Sequence, residues 1–475
     1  LNSTQLNSTQ LNSTQLNSIH SFFIWMIAIP IICLAGCSSD ESLNISPQQT
    51  AAQQNYQRGS VNDPVGEEVL LGEKLQNAYS VTSMRAALAY YNNRFTNSTF
   101  LTKRIEATHQ YVKITPATEF DLVALEQIES HSEDIVLLDY PLDYEVLQEG
   151  SEYKDPAYNG LQQYQPLYTV IPIGFELDVP YEVLEDLYQP KDEENDIETI
   201  ALAMCNWQDD LIADYGHEVT MLNVNLHLDG PNAAPLLYSR KFNPAGFVRM
   251  HTYDVGNTEG LKYAKLKIGR GIWWNTGYTD NEGLFYSANT YRGKVRIRSA
   301  WRNLTATLRM TRAEMIGVDV SDHIMTLTSS HNWTFYEIYN EGNDERLWCK
   351  GVVHNGLIKY YQFGIANGIF PVLDANIWVW KNGEGNASTP MLKQYPALPV
   401  MANINGWSMS NFWSALIQHV GTDVYFSNAV MLPQHLLPDQ IYTKIRDMGT
   451  ATLPQSNRVV EQLVFHESGH FSHAL

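Results

Sequence analysis

The chain has 475 residues, 44% of them hydrophobic and 11% aromatic, with a net charge of −21. This apolar content excludes extensive disorder, collagen-like repeats and small disulfide-dense scaffolds, and the length calls for two to four domains. So acidic a balance excludes a generic nucleic-acid binder or a binder of anionic membrane surfaces.

The N-terminus reads Leu-Asn-Ser-Thr-Gln three times over, then Leu16-Asn17-Ser18. This polar repeat has no apolar face and is set aside from fold reasoning. An apolar run from Phe22 to Cys33 follows. It is too short for a bilayer span, which needs ~20 residues. It leads into Leu34-Ala35-Gly36-Cys37 and then Ser38-Ser39-Asp40. The stretch resembles the bacterial lipoprotein signal, although no Lys or Arg precedes the apolar run as that family expects. The resemblance implies cleavage before Cys37, lipidation of Cys37, and a lipid-anchored protein of the bacterial cell envelope, at the outer membrane or cell surface. The membrane is then a partner through Cys37. Residues 1–36 are the repeat and signal, and 37–66 a flexible tether rich in Ser, Gln, Asn and Asp. Cys205 and Cys349 would remain, and two buried free thiols are expected of them.

Residues 67–240 read as an acidic α+β domain. Helical spacing is expected from about Glu67 through Val69, Leu70, Leu75, Ala78, Met84, Ala87 and Leu88. Tyr111–Ile114 alternates as a strand. Thr118 opens a helix through Leu125 and Ile128, with Asp121 at capping-box spacing. Ile135–Leu138 reads as a buried strand, Tyr168–Ile173 as another, and Val179–Leu187 as a short helix closed by Pro190. The carboxylates of this domain read as a solvated surface without catalytic pairing.

Charge is unevenly spread. Residues 40–198 hold 9 Lys/Arg against 29 Asp/Glu, and residues 261–312 hold 11 against 2. This suits two domains docking together or a solvated strand face, and alternatively a patch for polyanionic surface glycans. From Pro244 to Arg312 the period becomes two. Ala264, Leu266 and Ile268 alternate with Lys265 and Lys267, and Val295 and Ile297 with Lys294, Arg296 and Arg298. One apolar and one basic face predicts an antiparallel β-sandwich over 241–312 with its basic side wet. Between these runs, Asp280 can bond backbone two residues on and Gly283 can take positive φ, which predicts a hairpin turn. The segment Thr279-Asp280-x-x-Gly283-x-Phe285 resembles the carboxypeptidase-regulatory, transthyretin-like β-sandwich family over about 70 residues, which implies a scaffold or binding module.

Residues 313–475 are mixed. Thr334–Tyr339 and Pro438–Ile445 read as strands, Ser408–His419 as a helix, and Pro454–Asn457 as a turn and helix cap. The chemistry lies in His466-Glu467-Ser468-Gly469-His470, an HExxH motif in an apolar helical run with Val459, Leu463, Phe465 and Phe471. Positions i and i+4 of a helix share a face, so the imidazoles of His466 and His470 can reach one Zn²⁺. Glu467, beside the metal, can take a proton from zinc-activated water and return it to a leaving amine.

The motif resembles the gluzincin group of zincin metallopeptidases, because the longer metzincin pattern fails: His473 stands where that pattern needs Gly. The gluzincin third ligand is a Glu on a later helix, expected beyond Leu475, so the C-terminal domain reads as incomplete and the fragment as a weak metal binder with little activity. His473 lies about 10.5 Å along a helix from His466, too far to share its metal. Tyr168–Pro190, Gly277–Phe285 and Phe465–His473 together resemble Bacteroidetes-type lipoproteins with a C-terminal zincin.

The expected fold is therefore multidomain α+β: a small N-terminal α/β domain, a central β-sandwich, and a zincin-like domain over 313–475. The expected function is a lipid-anchored zinc metallopeptidase acting on a peptide or protein substrate. The alternative is a non-catalytic surface lipoprotein binding glycans or protein partners through Lys265, Lys267, Lys294, Arg296 and Arg298. No sustained heptads argue for an oligomer, and a monomer is expected.

Overall fold

The structure, a computed structural model, describes residues 68–94, 100–117, 119–151, 153–156, 165–215, 220–221, 224, 241–253, 256–309, 321–328, 334–339, 345–369, 375–379, 424–428 and 457–474. It is a mixed α and β architecture in which strands predominate, arranged as several sheets with mostly antiparallel pairing. Among the described residues no helix is long and apolar enough to cross a membrane.

The acidic region runs β1 (Leu70–Lys74), α1 (Val81–Arg94), β2 (His109–Ile114), α2 (Glu119–His131), β3 (Tyr144–Gln148), β4 (Leu167–Pro172), β5 (Tyr181–Leu187), α3 (Asn195–Met204) and α4 (Gln208–Tyr215). Three expectations change here. The helix expected from Glu67 is strand β1 up to Lys74, because Leu70–Lys74 pairs antiparallel with β3. The helix begins only where Ser80 caps it, its Oγ accepting the Ser83 N–H at 3.0 Å. The expected helix over Val179–Leu187 is strand β5, an edge of the sheet β4-β2-β5. Its Tyr181, Val183 and Leu184 stay exposed, so the apolar spacing that suggested a helix reflects no buried helical face. Ile135–Leu138 is buried as expected but forms no strand, touching β4 through a single bridge from Leu138 to Tyr168. At α2, Asp121 accepts the Ala117 N–H at 2.8 Å, and Thr118 lies outside the described residues.

From residue 245 the chain builds two sheets that share one apolar core. One centres on β6 (Ala245–Thr252), which pairs with β7 (Asn257–Gly260), β10 (Leu284–Tyr286) and β14 (Thr334–Ile338). The other has the order β13 (Asp322–Leu327), β11 (Val295–Ser299), β8 (Lys265–Arg270), β9 (Trp273–Tyr278). Val248 and Met250 of the first and Leu266, Ile268, Val295 and Ile297 of the second are all buried in this core. Two strands come from beyond residue 312, and β14 joins β6 in parallel, so the two-sheet body is wider and less purely antiparallel than expected. The turn between β9 and β10 forms as expected. Asp280 Oδ1 accepts the Glu282 and Leu284 N–H groups at 2.8 and 2.9 Å, and Gly283 sits at φ +77°. A third sheet joins β12 (Ala306–Arg309), β15 (Ala375–Val379) and β16 (Val424–Asn428).

The basic face is not wet. Lys265, Lys267, Lys294, Arg296 and Arg298 are all buried. The acidic region covers much of this face, and carboxylates expected at the surface are buried against it. Glu129 of α2 meets Lys267 at 3.0 Å and Lys265 at 3.5 Å, and Lys267 also donates to the Leu137 carbonyl at 2.6 Å. Glu149 pairs with Arg296 and Arg298, and Arg298 donates further to the carbonyls of Gly150 and Ser321. Asp210 pairs with Arg270 at 2.9 Å. The charge asymmetry is thus explained by docking, and the five residues expected to hold glycans are closed off. Buried carboxylates endure only when paired and hydrogen-bonded. Burial alone would raise the Glu149 carboxyl, but Arg296, His323 and Arg298 outweigh it and hold it at about 2. Burial opposes Glu129 in the same way, and Lys267 and Lys265 pull it below its usual range.

Candidate metal centre

Helix α5 (Glu345–Asn367) is the platform for the motif helix. Its Leu347, Trp348, Val352, Val353, Leu357 and Tyr360 enter the two-sheet core. Gly351 leaves room for Met250, and the Trp348 indole donates to the His251 carbonyl at 3.0 Å. Asn355 fixes the rotation of the helix by exchanging hydrogen bonds with the β7–β8 turn, donating to the Gly260 carbonyl at 2.7 Å and accepting the Lys262 N–H at 2.9 Å. Beside it, His354 is fully buried and donates from Nε2 to the Lys262 carbonyl at 2.8 Å. Burial pushes this imidazole down to about 4, so it is neutral and structural.

The HExxH residues lie on α6 (Asn457–Ala474), a continuous helix of 18 residues. The expected cap residue, Asn457, begins it, and its Oδ1 accepts the Tyr253 N–H at 3.2 Å. Asn457, Val460, Val464 and Ser468 form its buried side, at steps of three and four. Val464 packs on Gly356 of α5, where an added Cβ would lie 3.2 Å from Val464. Phe465 meets Tyr360 edge to face at 5.5 Å between ring centres, and the Tyr360 hydroxyl donates to Ser472 Oγ at 2.9 Å. Lys359 bridges Glu259 of β7 at 2.9 Å and Glu461 of α6 at 2.6 Å. Burial works against its charge, and hydrogen bonds to the two carboxylates more than restore it, raising its pKa.

Of the motif, all five backbones and the side chains of His466 and Ser468 are described. His466 is exposed, on the side of α6 away from Val460 and Val464. Position 470 follows one turn later, about 6 Å along the axis. Ser468, between them in sequence, is fully buried, and its hydroxyl has no hydrogen-bond partner among the described residues. The helix therefore holds its motif with one side anchored in the core and the His466 side facing outward. Among the described residues no three His, Cys, Asp or Glu side chains gather as a metal site. Cys37, the expected helix at Ser408–His419 and the expected strand at Pro438–Ile445 lie outside the described residues. Cys205 is a free, buried thiol, as expected.

The residues that orient the motif escaped the sequence reading. The apolar spacing of α5 was a usable signal, but Gly351, Gly356 and the buried polar pair His354-Asn355 interrupt it. No family model, curated protein or solved structure matches the chain.

Proposed function

We propose that the protein is a zinc-dependent metallopeptidase anchored to a bacterial envelope membrane through lipidated Cys37. In this reading the two-sheet body is a transthyretin-like β-sandwich scaffold, and the α6 region belongs to a zincin-like domain. The observation that carries the reading is the HExxH motif on an unbroken helix, anchored by the side opposite His466. Two imidazole nitrogens one turn apart suit zinc, and nothing in the backbone of α6 opposes their convergence. His466 and His470 would hold the ion.

Bound there, zinc supplies a Lewis acid that polarises the scissile carbonyl and acidifies water. Glu467 accepts the water proton and delivers it to the amine nitrogen as the C–N bond breaks. The anchoring by Lys359, Tyr360 and Asn457 limits rotation of α6 and so fixes where both imidazoles start. The burial of the basic strand face removes the observation that favoured a glycan-binding module.

The test is Glu467→Gln in the full-length protein. Peptide hydrolysis is expected to fall at least about 100-fold, as for loss of a general base, with zinc content unchanged. Undiminished hydrolysis in that variant would overturn the assignment.

A further inference from the structure

A cavity of about 270 Å³ lies between the β1–β3 ribbon, α4 and strand β9, remote in sequence from the motif helix. It lies just below the usual range of about 300–1,000 Å³ for ligand sites, suiting a ligand no larger than an amino-acid side chain. Its walls are aromatic and fixed. The Trp207 indole donates to the Gln76 carbonyl at 2.7 Å, and the Trp274 indole donates to the Gly271 carbonyl at 3.0 Å. With both N–H groups committed, each ring offers a bound molecule only its π-surface and edge. Gly271, at φ +54°, lets Trp207 pack onto the backbone, where an added Cβ would come within 2.9 Å of the ring.

The charges of this cavity do not balance. Asp210 is matched by Arg270, and Arg296 shares the Glu149 carboxylate with Arg298. Glu73 and Glu145, both exposed on the lining, have no ion-pair partner among the described residues. They face one another across a register break, because Leu71 pairs with Val146 and Lys74 with Tyr144, leaving Gly72 and Glu73 against Glu145. Like charges set across paired strands repel, and a break of this kind re-aims side chains. Two carboxylates without ion-pair partners among the described residues, lining the same cavity as fixed aromatic rings, favour a cation with an organic body.

We propose that this cavity binds a small organic cation, an alkylammonium or guanidinium group of the size of a lysine or arginine side chain. A free amine and a basic side chain of a polypeptide share that chemistry. The proposal does not depend on the peptidase reading.

The test is isothermal titration of the full-length protein with agmatine, with a blocked arginine peptide, and with glucose as an uncharged control. Agmatine is expected to bind saturably at millimolar concentration or tighter, and glucose not at all. Glu73→Gln/Glu145→Gln is expected to weaken agmatine at least about tenfold, and since both positions are exposed its melting temperature should stay unchanged. If the peptide also binds, the source is a polypeptide side chain; if only agmatine binds, a free amine. No saturable heat with either cation, equal affinity in the double variant, or preference for glucose would overturn the proposal.

Discussion

Two seams join parts of the described fold, and they are made differently. The seam between the acidic region and the sheet β13-β11-β8-β9 is ionic, with Glu129, Glu149 and Asp210 set against Lys265, Lys267, Arg296, Arg298 and Arg270. The seam between α5 and α6 is chiefly apolar, with Val464 on Gly356 and Phe465 against Tyr360, and one half-exposed cation, Lys359, at its margin. The ionic seam is announced by sequence as a charge imbalance between distant segments. The apolar one is silent, since its residues resemble any core. An alternating strand therefore tells which side chains share a face, and not whether water or another part of the chain covers it.

The largest expected effect falls on the ionic seam. Glu149→Ala leaves Arg296, Arg298 and His323 buried around a lost carboxylate, and should cost roughly 3–5 kcal/mol in denaturant unfolding. If the loss is below about 1 kcal/mol, the seam is hydrated and the comparison fails. Leu357→Ala, on the core-facing side of α5, should cost about 3 kcal/mol by leaving a cavity, with no dependence on salt or pH. Acid should separate the two. The Glu149 pKa is held at about 2 against an ordinary 4.5, so its contribution is complete above pH 4.5 and is lost as pH falls toward 2. The Glu149→Ala protein should lack that part of the acid transition, while Leu357→Ala should retain it. The smallest effect is Lys359→Met, at a side chain 30% exposed. It should cost under about 1 kcal/mol and lower metal affinity only if α6 shifts.

What was legible follows from whether the deciding interaction was local. The Asp280 turn was readable because its acceptor and its donors lie within four residues. Strands β2, β4, β8 and β11 were readable from alternation or from apolar runs. Tyr181–Leu187 was misread because Tyr181, Leu184 and Leu187 recur at helical steps, while pairing with β2, about 70 residues away, decides its state. Leu70–Lys74 failed for the same reason, its partner β3 lying far along the chain. The HExxH motif was legible in five residues. Its orientation was not, because Gly356, Lys359 and Tyr360 set it from a helix about 100 residues earlier.

The most direct test of the metallopeptidase account is zinc bound per chain in the full-length protein after exhaustive dialysis, beside His466→Ala and His470→Ala. The account predicts about one zinc in the parent and loss of it in both variants, since each imidazole is one of few ligands. A parent protein without zinc, or variants that keep it, would contradict it.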